Sequence, residues 1–333
     1  MLRLPRAWAI GMSGRVRRVN RRQLVGPTGL LRPRTIGEAA RIYTRALTRW
    51  RRPLSFGLTA VGAMFGLLLI SGMTWRTDAA VYWMADLDHL YGGGVGGRLA
   101  YLYSPAFAQA LEPFRAIPLD AFVLFSRLTA LAALVYLARP LTLPLLLTWP
   151  VTGELLVGNI HLQLALAIAL TFRWPVLWAL PLLTKPTLGI GLVWYVVRRE
   201  WRNLALALGV TAIIAGVSFV IAPGLWFDWI RTMGNSTGPL PPEVASQAIG
   251  VPLAIRLVIA IALVAWGARM DHRWTLIVGT CLALPALWFI GLSMLVGLAR
   301  FRTPSNAHDL KAEGRGGYLS DRRSEFGKKV GVG

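Results

Sequence analysis

Cysteine is almost missing from this chain: Cys281 is the single one in 333 residues. One thiol cannot build an intrachain disulfide framework or a cysteine-rich metal site. Charge is also scarce. Asp, Glu, Lys and Arg make up 15% of the residues, against about 25% in an ordinary soluble domain. Acids are the rarer sign, 15 against 36 Lys and Arg, and there are only 4 histidines. The short alternating strands that would build a membrane barrel are absent. The GGGVGG run at 92–97 has no Lys-Ser/Thr after it and no strand before it. It therefore reads as a hinge and not as a phosphate loop.

What is present in excess is apolar sequence. The chain is 55% hydrophobic, with a mean hydropathy of +0.53. The apolar residues come in blocks of roughly twenty, the length of a helix that crosses a bilayer core. The expected fold class is an all-α polytopic membrane protein with about nine or ten transmembrane helices.

The net charge of +21 is unevenly placed. Residues 1–53 hold fourteen Arg and one acid, Glu38, and the tail from Arg300 holds eight Lys or Arg. In a membrane protein such ends face the cytoplasm and anionic lipid. Membrane lipid is thus the expected partner, nucleic acid is not, and the N-terminus of a multi-pass plasma-membrane chain is expected in the cytoplasm. Residues 1–54 read as a basic segment with an amphipathic helix over 35–50. Low periodicity predicts disorder in 1–34 and in the polar tail 300–333. Between them, 55–299 reads as the membrane domain, with outer loops at 74–104 and 223–250.

Within that domain the expected spans are Phe56–Met73, Leu119–Leu137, Leu204–Ala222 and Pro252–Ala268. Pro105–Pro118 reads as a tilted or re-entrant helix. Leu141–Val157 and His161–Phe172 join at Gly158-Asn159, and Trp174–Val197 is one long span interrupted at Lys185-Pro186. Trp274–Leu298 reads either as one span, which puts the basic tail outside against the charge rule, or as two short spans hinged near Pro285, which the charge rule favours.

Polar chemistry gathers in Trp75–Tyr91, which carries Asp78, Asp86, Asp88 and His89. If this stretch is helical to Tyr91, residues 78, 82, 85 and 89 share a face. That stripe aligns Asp78, Tyr82 and His89 and offers a carboxylate to accept a proton. A plain solvated face has the same pattern. Asp86-Leu-Asp88 looks like a metal–nucleotide tripeptide, but on a helix its two acids point apart. Further charges lie in apolar sequence: Glu112, Arg115, Arg127, Glu154, Lys185 and Arg256. Each costs roughly 2.5–3.5 kcal/mol to insert, so such groups pair or face a bundle interior. Lys185 precedes Pro186, which opens the helix there. A Glu154–Lys185 pair is expected, either structural or as a cationic wall for a phosphate.

Four stretches in order resemble glycosyltransferase family 87, polytopic enzymes of the C-type glycosyltransferase superfamily. They are TDAAVYW at 77–83, YLYSPAFAQALEP at 101–113, GNIHLQLALAIAL at 158–170 and LPLLTKPTLGIGLVWYVVRREWR at 180–202. The intramembrane Lys-Pro of the last is the most specific. One departure is ALPALWFIGL at 283–292, where the family often carries Trp-x-His and this chain has Trp288 without a histidine. The resemblance implies a C-type glycosyltransferase-like fold and a polyprenyl-phosphate sugar as donor on the non-cytoplasmic face. It implies transfer of a hexose to an envelope lipid or glycan, with inversion. Asp78 would take the acceptor proton, and Lys185, then Arg256, would face the leaving phosphate. Tyr82, Tyr103, Asn159 and His161 would line the sugar pocket. No cofactor beyond the donor is implied, and a divalent metal stays open. A lipid or small-solute transporter and a non-catalytic envelope-assembly protein are the competing readings.

Overall fold

The structure, a computed structural model, describes residues 36–72, 77–92, 100–234 and 248–302. The expectations for 1–34, for the tail after Arg302 and for 74–76, 93–99 and 235–247 of the outer loops lie outside these residues.

Every named element is helical. In chain order they are α1 (Ile36–Ser71), α2 (Thr77–Trp83), α3 (Pro105–Leu111), α4 (Leu119–Ala138), α5 (Thr142–Leu146), α6 (Trp149–Val157) and α7 (His161–Leu170). There follow α8 (Ala179–Thr184), α9 (Val193–Val197), α10 (Trp201–Ile221), α11 (Pro223–Gly234), α12 (Leu253–Met270), α13 (Trp274–Leu282) and α14 (Leu298–Arg302). Short 3-10 segments link several of them, notably Pro186–Leu192 and Phe289–Gly297. Among the described residues there is no sheet, only an isolated bridge between Ala248 and Trp288.

Prolines set many of the boundaries. Pro105, Pro150, Pro175 and Pro186 stand in the first turn of a helical segment, where a missing N–H costs nothing. The backbone of the 35–50 region is helical from Ile36, within α1. By length and composition four helices can cross a membrane: Pro53–Ser71, Leu119–Leu146, Trp201–Ile221 and Leu253–Met270. The pair α6 and α7, bent by 109°, makes a fifth if counted as one broken span. Candidate spans in this number suggest a multi-pass membrane protein. Side chains on the spans agree: Phe56 is 76% exposed and Val220 81%, which water would penalise and lipid does not.

Two sequence expectations change, and the interruption expected at Lys185-Pro186 is present. Pro175–Thr184 and Pro186–Val197 are separate short helical pieces. Lys185 between them takes φ −138 and ψ 85, because the ring of Pro186 disfavours the helical conformation at the residue before it. The second outer loop opens with α11, a helix of 12 residues, where a polar connector was expected. The polar stripe 78–82–85–89 is cut short, since α2 ends at Trp83. The expected break near Pro285 is present, between α13 and the 289–297 segment.

The core lies where α4, α7, α13 and the 289–297 segment meet. Leu134, Leu155, Leu162, Leu164, Ile168, Trp178, Ile277 and Met294 are fully buried there. Glycine permits the tightest approach. A Cβ on Gly267 would lie 2.6 Å from the Cβ of Thr275 across the α12–α13 turn. Thr275 is itself fixed by its hydroxyl, which donates to the His272 carbonyl at 2.8 Å.

Gly267→Ala should therefore lower stability by about 1–3 kcal/mol, the cost of overpacking. Gly209→Ala, into open space, should be neutral or slightly stabilising. Thermal unfolding in detergent or nanodiscs checks both.

Candidate functional site

The site begins at the break between α6 and α7. Gly158 ends α6 in the left-handed conformation, φ 72. A side chain there would be strained, and a Cβ would meet the Cβ of Ala79 at 2.9 Å. A helix broken inside apolar sequence leaves backbone donors bare. Glu154 answers one of them: its carboxylate accepts the His161 N–H at 2.6 Å and contacts the ring Nδ1 at 2.9 Å. Both side chains are fully buried. With Nδ1 engaged, the ring's Nε2 is buried and has no partner among the described residues.

The closed break aims Asn159. Its Oδ1 accepts the Ile160 N–H at 2.7 Å and the Tyr82 hydroxyl at 3.3 Å. Those two donors fix the orientation of the amide. The other end, Nδ2, donates to Oδ2 of Asp78 in a short hydrogen bond. The Tyr82 and Tyr103 hydroxyls are 2.9 Å apart. Because Tyr82 donates to Asn159, Tyr103 donates to Tyr82. The donors thus run in one direction: Tyr103 to Tyr82, Tyr82 to Asn159, Asn159 to Asp78. Burial pushes both phenols above their ordinary values, so both keep the protons this order needs.

Lys185 completes the group. Its ammonium sits over the Tyr103 ring, 5.1 Å from the centroid. That is a cation–π contact. Tyr103 also touches Tyr82, Tyr101 and Phe107 at ring distances of 5.2–5.5 Å. One ring thus ties the lysine to the aromatic shell of the site.

Asp78 is part-buried at the head of α2. Burial raises its pKa above the ordinary 3.8; the Asn159 hydrogen bond lowers it, and nearby Glu154 raises it again. A folded-state value above the unfolded one favours the neutral acid in the fold. The stability it contributes is complete below the ordinary 3.8 and is lost as pH rises through the raised value. Work as a base runs the other way, since it needs the ionised form.

Six residues expected at the site converge: Asp78, Tyr82, Tyr103, Asn159, His161 through the break, and Lys185. Arg256, expected second after Lys185 as the phosphate contact, is engaged by backbone carbonyls. Its guanidinium donates to the carbonyls of Val251 (2.9 Å), Leu282 (2.7 Å), Leu284 (2.6 Å) and Pro285 (3.0 Å). Four of its five N–H groups are taken, three of them at the open end of α13, where a cation suits the unpaired carbonyls. The Glu154–Lys185 pair is not formed either, because Glu154 is held by His161. His89 lies outside the group, 84% exposed at its side chain and beside Asp86 at 3.4 Å. Asp86 also faces Arg115 at 3.9 Å. Among the described residues no cluster of three or more His, Cys, Asp or Glu is arranged to hold a metal. Sequence reasoning missed the partnership of Glu154 with His161. Its signal was an acid and a histidine flanking Gly158-Asn159 in otherwise apolar sequence.

No protein-family model, curated protein or solved structure matches the chain. The class that fold and site define is an all-helical, multi-pass membrane protein with a carboxylate–amide–phenol chain beside a lysine.

Asn159→Ala removes the group that pulls the Asp78 pKa down. The ionisation midpoint of Asp78 should move up. It can be followed as the protonated-carboxyl infrared band that disappears in Asp78→Asn. An unchanged midpoint would mean that the amide is not its donor.

Proposed function

We propose that this chain is a membrane glycosyltransferase. It moves a hexose from a polyprenyl-phosphate donor to an envelope lipid or glycan acceptor, with inversion. The observation that carries the reading is the Asp78 carboxylate, held through one oxygen by Asn159, in a group that also includes the Lys185 ammonium. The resemblance of the 77–83, 101–113, 158–170 and 180–202 stretches to glycosyltransferase family 87 supplies the chemistry. In this reading the short helical pieces pair into further broken spans, for about nine or ten membrane segments in all. The site then opens on the non-cytoplasmic face of the plasma membrane.

In this mechanism Asp78 accepts the proton of the acceptor hydroxyl through its second carboxylate oxygen. The acceptor oxygen forms its bond to the anomeric carbon from the side opposite the phosphate. The bond from that carbon to the phosphate oxygen breaks, and the electron pair leaves with the polyprenyl phosphate. Lys185 is the cation that meets the growing negative charge. It must leave the face of Tyr103, or share it, to do so. Tyr82 and Tyr103 hold the Asn159 amide in place and border the sugar. Fixed donors of this sort work by being arranged before the charge develops.

The bent α6–α7 pair with its buried Glu154–His161 contact favours one other reading, a transporter, whose sites form at broken helices. Membranes given a radiolabelled polyprenyl-phosphate hexose separate the two. The transferase should place label on an envelope lipid or glycan. Asp78→Asn should reduce transfer by roughly 10²–10⁴-fold, the worth of a positioned base. Lys185→Ala should cost on the order of 10²-fold, while Asp88→Asn should leave it unchanged. Full transfer by Asp78→Asn would remove the base from the mechanism. Uptake of solute without label transfer would favour the transporter.

A further inference from the structure

Helix α11 follows α10 after a single residue, Ala222. Its sequence, PGLWFDWIRTMG, sorts into three sides at about 100° per residue. Leu225, Trp226, Trp229 and Met233 make the inner side and are part-buried. Leu225 packs on the cluster of Leu90, Tyr101 and Ala108. The Trp226 indole donates to the Ser218 hydroxyl at 3.0 Å, and the Trp229 indole to the Leu102 carbonyl at 3.3 Å. Asp228 and Arg231 make a polar side, exposed and paired at 2.9 Å. Between these two sides runs an apolar edge, with Phe227 58% and Ile230 60% exposed.

That edge is continuous with the lipid-crossing surface. Phe227 meets Phe219 edge to face at 6.0 Å. Phe219, Val220 and Ile221 are the exposed last residues of α10, one of the four helices long and apolar enough to cross a membrane. An apolar edge beside a charged one, at the end of a span and flanked by two tryptophans, fits a boundary between acyl chains and headgroups. A protein partner fits less well. Stable protein interfaces cover about 800 Å² on each side, far more than an edge of two side chains provides.

We propose that α11 lies in the bilayer interface, with Phe227 and Ile230 in the acyl boundary and Asp228 and Arg231 in the headgroup layer. Its occupant is membrane lipid. The helix thereby ties the aromatic shell beside Asp78 to the lipid surface, through the Trp229–Leu102 hydrogen bond and the packing of Leu225. The mouth of the site is held at the level where a lipid-borne molecule presents its polar head. The lipid contact itself does not depend on the transferase reading and can hold if that reading fails.

The test places single nitroxide labels at Phe227, Asp228, Ile230 and Arg231, each in the full chain with Cys281→Ala, reconstituted in phospholipid nanodiscs. Collision with oxygen, which concentrates in acyl chains, is compared with collision with a water-soluble nickel chelate. The expected result alternates along the helix: oxygen contact prevails at 227 and 230, chelate contact at 228 and 231. Chelate contact at all four positions overturns the proposal. So does protection of 227 and 230 from both reagents, which would mean that protein covers the edge. The labelled positions are all exposed, so loss of folding is not expected. Monodisperse elution of each labelled chain is the condition for reading it.

Discussion

The carboxylate of Glu154 is the constraint on which the site rests. It is fully buried, and it spends both oxygens on one residue, the backbone and ring of His161. Removing one partner of a buried hydrogen bond of this sort leaves a buried polar group unsatisfied, at about 1–3 kcal/mol. The contact is made seven residues along the chain, across Gly158, so it closes the bend between α6 and α7 into one geometry. Everything that reaches the outer side of the bend inherits that geometry. Asn159 projects from it, Ala79 packs on Gly158, and α2 is thereby set with Asp78 and Tyr82 toward the amide.

A second constraint is how the two buried cations near the apolar breaks are used. Arg256 has a planar fork with five donors; it spends three on carbonyls at the opened end of α13 and one on Val251, just before α12. A guanidinium suits that task, and in it one N–H is left over. Lys185 has a compact charge on a flexible stem; it lies over the face of Tyr103 and in the field of the Asp78 and Glu154 carboxyl groups. A cation–π contact gives roughly 0.5–2 kcal/mol. In the proposed transferase, that difference between the two side chains is what would make Lys185 the cation for the phosphate.

Much of this was legible from the residues. Apolar blocks gave the helical membrane class, Gly158-Asn159 and Lys185-Pro186 marked two breaks, and Pro285 marked a third. Of the six site residues, Lys185 was marked as a charge in apolar sequence and Asp78 and Tyr82 by their shared helix face, while Tyr103, Asn159 and His161 were named only by what the resemblance to glycosyltransferase family 87 implies. What the sequence hid was which partner each would take. Glu154 was expected on Lys185, and only the bend between α6 and α7 brings it to His161. Arg256 reads like any buried cation until the carbonyls around it are seen. Helix α11 was hidden because its polar residues and prolines resemble a loop, and its aromatic residues match helical spacing only over three turns. The end of α2 at Trp83 was hidden for a related reason, since nothing in Met84–Tyr91 forbids a longer helix.

The central claim is that Asp78 and Asn159, far apart in sequence, act as one unit at the broken helix. A double-mutant cycle tests it most directly, with unfolding free energies of the parent, Asp78→Asn, Asn159→Ala and the double variant in nanodiscs. If the two side chains interact as described, their effects are non-additive by more than about 0.5 kcal/mol. Additivity within about 0.3 kcal/mol would mean that the hydrogen bond does not hold α2 to the break, and the account of the site would fail with it.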